Sequence, residues 1–81
     1  MKKVLQVRYF AALREQRGLG EERVSSGAAT AAELYEELRV RHGLTLPADR
    51  LRVAVNDEFE AWGSAIRDGD TVVFIPPVAG G

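Results

Sequence analysis

The segment Thr71-Val72-Val73-Phe74-Ile75, followed by Pro76-Pro77, limits the possible folds more than any other part of the chain. A strand this nearly all-apolar reads as central in a sheet, flanked by other strands on both edges. It must stop at Pro76, which lacks the amide donor that a ladder needs. With 81 residues, the chain supports one compact domain with a small core. The remaining elements must therefore assemble around this strand.

Val4 to Phe10 alternates as a strand, with Leu5, Val7 and Tyr9 on one face and Gln6, Arg8 and Phe10 on the other. Ala11 to Gln16 reads as a short helix ended by Gly18 or Gly20, and Glu22 to Ser25 as a brief strand around Val24. The strongest helix starts after Thr30, where Thr30 and Glu33 form a capping box. Ala31, Leu34, Tyr35 and Leu38 follow at helical spacing, and Gly43 supplies a left-handed stop. Arg39, Arg41 and His42 lie in its last turn, where the helix dipole favours cations. Leu51 to Val55 is a further strand, turned by Asn56-Asp57 into Glu58-Phe59-Glu60. Arg67-Asp68-Gly69-Asp70 turns the chain into the last strand. This order gives an α+β β-grasp (ubiquitin-like) fold: a mixed sheet of four to five strands covered by one main helix. Its first and last strands pair in parallel at the centre. Residues 1–75 form the body and residues 76–81 an extended functional tail.

Composition removes whole classes of chemistry. There is no cysteine, which excludes disulfides, cysteine-held metals and a thiol nucleophile, and His42 is the only histidine. A net charge of −1 is no footprint for nucleic acid or an anionic membrane. The N-terminus lacks a signal-peptide pattern and no run reaches membrane-spanning length, so a cytoplasmic protein is expected. Ser25, Ser26 and Ser64 have no histidine neighbour in sequence and read as turn or strand-edge residues. Trp62 and Tyr35 read as packing groups, and His42 as a helix-end residue.

The tail, Pro76-Pro77-Val78-Ala79-Gly80-Gly81, is the candidate functional segment. Two prolines stiffen its root. Ala79, Gly80 and Gly81 have almost no side chain, so the thread fits a narrow channel in another protein. Extended, it reaches roughly 20 Å. Disorder is expected until it docks. The reactive group at its tip is the Gly81 carboxylate, an electrophile once activated as an acyl-adenylate.

These residues resemble the small subunit of molybdopterin synthase, a β-grasp sulfur carrier. The tail matches that family's Pro-Pro-Val-x-Gly-Gly ending, and Phe10-Ala11-Ala12-Leu13-Arg14-Glu15 matches its Phe-Ala-x-x-Arg-Glu segment. Ala54-Val55-Asn56 and Asp68-Gly69-Asp70 match too, while Ile75 stands where an aromatic residue is common. The resemblance implies a cycle. An ATP-dependent adenylating enzyme activates Gly81, and a sulfur donor protein converts the carboxylate to a thiocarboxylate. The tail, with Gly80 behind the tip, then enters the large synthase subunit. There sulfur passes to cyclic pyranopterin monophosphate to build molybdopterin in molybdenum cofactor biosynthesis. The chain is then an enzyme only as a subunit, with catalytic side chains in its partner, a heterotetramer of two small and two large subunits, and no bound cofactor of its own. ATP is used by the activating enzyme.

Strand phase adds a docking surface to this expectation. Phe10, Phe59 and Ile75 fall on the face away from the helix, so they are expected to bind the partner together with Pro76, Pro77, Val78 and Ala79. Arg14 on the short helix is a polar anchor or a solvated residue. Alternatives are a sulfur carrier for thiamine synthesis or tRNA thiolation, a ubiquitin-like protein modifier, or a non-covalent adaptor. The only lysines are Lys2 and Lys3, which leaves few sites for self-conjugation.

Overall fold

The computed structural model describes residues 2–77. In chain order the elements are β1 (Lys3–Tyr9), α1 (Ala11–Arg17), β2 (Glu21–Ser26), α2 (Ala31–His42), a 3-10 turn (Ala48–Arg50), β3 (Arg52–Val55), β4 (Glu58–Glu60) and β5 (Thr71–Ile75). The strands form one sheet in the order β2-β1-β5-β3-β4. The apolar β5 is central as expected, parallel to β1 and antiparallel to β3.

Helix α2 covers one face of the sheet. Its Ala31, Leu34, Tyr35 and Leu38 are buried against Leu5, Val7, Val53, Val72 and Phe74. Phe74, Tyr35 and Trp62 form a three-ring cluster, with Phe74 5.0 Å from Tyr35 and 6.0 Å from the nearly parallel Trp62, and 5.8 Å between Tyr35 and Trp62. Tyr35 and Trp62 are thus packing groups, and the Tyr35 hydroxyl donates to the Leu46 carbonyl at 2.6 Å.

The start of α2 is fixed by the residues that the sequence marks. Thr30 Oγ1 accepts the Glu33 amide at 3.2 Å. The Glu33 carboxylate reaches back one residue further than the capping box requires and accepts from Ala29 N at 3.3 Å. Two more orphan amides of the first turn, those of Ala31 and Ala32, donate to the carbonyls of Ser64 and Trp62. Gly43 ends the helix at φ 67°.

Several boundaries differ from the sequence expectation. β1 spans Lys3–Tyr9 rather than 4–10, because Phe10 turns the chain into α1. β2 is longer than 22–25, with six residues paired along β1. Helix α1 runs to Arg17 and stops at Gly18, whose φ is 85°. Its first residue, Ala11, has φ 50°, a left-handed conformation that no local residue type announces. His42 also departs from the cation expected at a helix end. It is largely buried, and burial, then the nearby Arg17 charge, push its pKa below the ordinary value.

Candidate functional site

The sheet face opposite α2 carries the residues that strand phase singled out. Across β1 and β5, Arg8 lies beside Val73 and Tyr9 beside Phe74. Across β5 and β3, Arg52 faces Ile75 and Ala54 faces Val73; across the hairpin, Phe59 faces Ala54. Since side chains alternate, Arg8, Val73, Ala54 and Phe59 form one row on the open face, with Ile75 and Arg52 in the next. The hairpin register follows from Asn56 and Asp57, whose φ values of 52° and 71° define a type I′ turn. Asn56 also ties this turn to β5: its Oδ1 accepts the Thr71 amide at 2.9 Å.

Phe10 and Phe59 are 48% and 56% exposed, large values for apolar rings on the open face. Ile75 is half-buried. Phe10 and Ile75 line one groove of about 550 Å³ together with Ala11, Ala12, Pro76 and Pro77, with the Glu15 carboxylate at its edge as the one charged group. Phe59 stands apart. Arg52 lies between it and Ile75, with its guanidinium carbon 4.1 Å from the Phe59 ring centroid. The three groups lie on the open face as expected, and the side chains divide them into two apolar points, Phe10 with Ile75 and Phe59, joined by a cation. Pro76 is buried and Pro77 exposed, so the chain leaves the body at Pro77. Val78, Ala79, Gly80 and Gly81 lie outside the described residues.

Arg14 is exposed on α1 and lines a neighbouring depression with Arg8, Phe10, Gly20 and Glu21. A Cβ at Gly20 would come within 3.3 Å of Arg14 Nε, so the glycine leaves room for this side chain.

Below Phe10, a polar network that sequence reasoning missed holds α1 to the sheet. Arg17 donates twice to Glu22, at 2.9 and 2.7 Å, and the Tyr9 hydroxyl donates to Glu22 Oε2 at 2.6 Å. The bond from Arg17 holds the Glu22 carboxyl below its usual range, against an opposing effect of burial. Burial, then the Glu22 carboxylate, push the Tyr9 hydroxyl up. His42 Nε2 lies 3.7 Å from Glu22 Oε2 and has no hydrogen-bond partner. Each of these side chains is satisfied structurally or faces the interior of the network. Among the described residues no group of three His, Cys, Asp or Glu is placed to hold a metal, and no helix is long and apolar enough to cross a membrane.

A mixed five-stranded sheet with one long helix across one face, and its first and last strands parallel at the centre, defines the ubiquitin-like β-grasp class. Within it, residues 7–81 match the model of the ThiS family, to which the chain belongs. It is 35% identical to the molybdopterin synthase sulfur carrier subunit of Haemophilus influenzae and 32% identical to that of Escherichia coli, covering 96% of this chain and all of either relative. The small archaeal modifier protein 1 of Haloferax volcanii superposes with a TM-score of 0.78 at 28% identity, covering 94% of this chain and 99% of that one. A structure of subunits 1 and 2 of the molybdopterin-converting factor of Helicobacter pylori in complex contains a chain that matches with a TM-score of 0.64. That match has 28% identity and covers 96% of this chain and 99% of the other.

Proposed function

We propose that this protein is a sulfur carrier subunit of molybdopterin synthase, with Gly81 as the carrying residue. The observation that bears most on this reading is where the chain leaves the body. Central strand β5 delivers Pro77 to the rim of the groove built by Phe10, Ala12 and Ile75. A partner that grips this groove is thereby positioned to receive the residues that follow. The end-to-end match to two sulfur carrier subunits supports the same assignment.

In this reading the Gly81 carboxylate attacks the α-phosphate of ATP on an adenylating enzyme, and pyrophosphate leaves. A persulfide of a donor protein then displaces AMP to give an acyl disulfide, and a second thiol cleaves its S–S bond, forming a disulfide with the donor cysteine and releasing the terminal thiocarboxylate. Gly80 and Ala79 let the thread pass a narrow channel in the large subunit, where sulfur is transferred to cyclic pyranopterin monophosphate. Phe10, Phe59, Ile75, Pro77 and Val78 contribute apolar contact to that subunit, and Arg14 a polar anchor at the edge of the groove. Pro76 is buried for the most part but still lines the groove, so it fixes the exit direction as well as adding to the contact.

The test is reconstitution. The thiocarboxylated chain, mixed with the large subunit and cyclic pyranopterin monophosphate, is expected to yield molybdopterin. Sulfur transfer to a thiamine precursor or to tRNA, with no molybdopterin formed, would reassign it to another sulfur pathway. A second reading, protein modification, is favoured by the likeness to the archaeal modifier protein. It predicts isopeptide conjugates to target lysines in cells. Self-conjugation has little to work with, since Lys3 Nζ already donates to the Ala28 carbonyl at 3.0 Å, leaving Lys2 as the unengaged acceptor among the two.

A further inference from the structure

Seven of the nine arginines fall into two sets by face; Arg50, on the 3-10 turn, and Arg67, in the turn before β5, belong to neither and form no ion pair among the described residues. On the helix side, Arg17, Arg39 and Arg41 are each paired to a glutamate within 3.0 Å. On the open face the pattern is reversed. Among the described residues, Arg14, Arg23 and Arg52 have no carboxylate within 4.0 Å, and Arg8 has only the exposed Glu21 at 3.8 Å. The carboxylates nearest in sequence to Phe59, Glu58 and Glu60, alternate onto the other side of β4. Of the six basic groups in residues 1–24, Arg8 and Arg23 lie on the open face of β1 and β2, which Glu21 shares, and Arg14 lies beside it on α1, while Lys3 and Arg17 are engaged elsewhere.

Arg52 is the most constrained of these cations. Its neighbours are Ile75 across the strand pair and the Phe59 ring beneath its guanidinium. A guanidinium stacked on an aromatic ring is held in place while its donors still point outward. It loses less side-chain freedom on meeting a carboxylate than an extended arginine does. Arg8 lies in the neighbouring row, beside Val73. The two apolar points of the face are therefore bordered by Arg52, which has no carboxylate partner among the described residues, and Arg8, whose only one is the exposed Glu21 at 3.8 Å.

We propose that the partner surface which covers this face is acidic: it places one carboxylate on the stacked Arg52 and a second on Arg8, around an apolar centre that takes Phe10 and Ile75. This inference rests on the docking reading above and adds the chemistry that selects the partner. Charge complementarity of this kind acts mainly on association rate and partner choice. A protein partner rather than a polyanion fits the face because the cations alternate with large apolar groups and the chain as a whole carries a net charge of −1.

The experiment is a titration of the full chain with the large subunit from the same organism, at low and high salt. Arg52→Gln and Arg8→Gln remove charge with little change of shape, and Arg52→Glu reverses it. The wild-type chain is expected to associate more slowly as salt rises. Both glutamine variants should flatten that dependence, and Arg52→Glu should bind roughly tenfold or more weakly. Replacing the facing partner carboxylate with lysine should restore binding to Arg52→Glu alone. Circular dichroism must show all variants folded; Arg52 is exposed and outside the core, so folding is expected. Variants that bind as tightly as wild type, with the same salt dependence, overturn the arginine proposal and leave the docking reading intact. A wild-type chain that binds no large subunit at any salt takes down both. Tight binding of a single-stranded oligonucleotide through the same arginines would also overturn the proposal, by making the ligand a nucleic acid.

Discussion

Glu22 shows how much one residue can hold. It joins α1, β1 and, at longer range, the end of α2 through Arg17, Tyr9 and His42. Glu22→Gln weakens two of these bonds at a partly buried site, and urea unfolding should show a loss of about 1–3 kcal/mol. The pH dependence has a definite sign. Glu22 and His42 both have native pKa values below their ordinary ones, so the unfolded chain binds more protons in acid. The stability they contribute is complete above about pH 6.5. It falls with pH, first through the native value of His42 and then through that of Glu22. Stability that rises from pH 7 to pH 5 would contradict this assignment. The network could not be read from the sequence, because Tyr9 and Glu22 meet only once the β1–β2 register is set, and a helix rather than a turn joins these strands.

At the scale of elements, legibility followed local chemistry. Helix α2 was readable end to end because Thr30, Glu33 and Gly43 each satisfy a backbone requirement where they stand. Thr30→Ala should cost about 1 kcal/mol, and Gly43→Ala a similar 1–2 kcal/mol because its φ of 67° is left-handed; thermal unfolding checks both. The β3–β4 hairpin was readable for the same reason, through the Asn56-Asp57 turn. Helix α1 was less so. It begins at Ala11 with φ 50° and no side-chain cap, and it is held to the body by Leu13, which is buried in the core. The position of Arg52 over Phe59 was implicit in the hairpin register, since alternation puts both on the open face. Its role as a separator of the apolar points needed the side-chain geometry.

At the scale of the molecule, the sheet order separates labour between two faces. One face is closed by α2 and supplies stability; the other is left open, and the central strand leads to the exposed Pro77 at its rim. Phe10→Asp should therefore leave the thermal transition nearly unchanged while abolishing binding to the large subunit, since Phe10 is half exposed and lies outside the core cluster. Unchanged affinity would remove Phe10 from the docking surface. The absence of cysteine fits the same division: a carrier that holds sulfur on its terminal carboxyl needs no thiol of its own. The most direct test is the intact mass of the protein purified from cells making molybdenum cofactor. The account predicts a species in which one oxygen is exchanged for sulfur, localised to Gly81 by fragmentation and absent when Gly81 is deleted. A single unmodified mass under those conditions, or an exchange that survives the deletion, would contradict it.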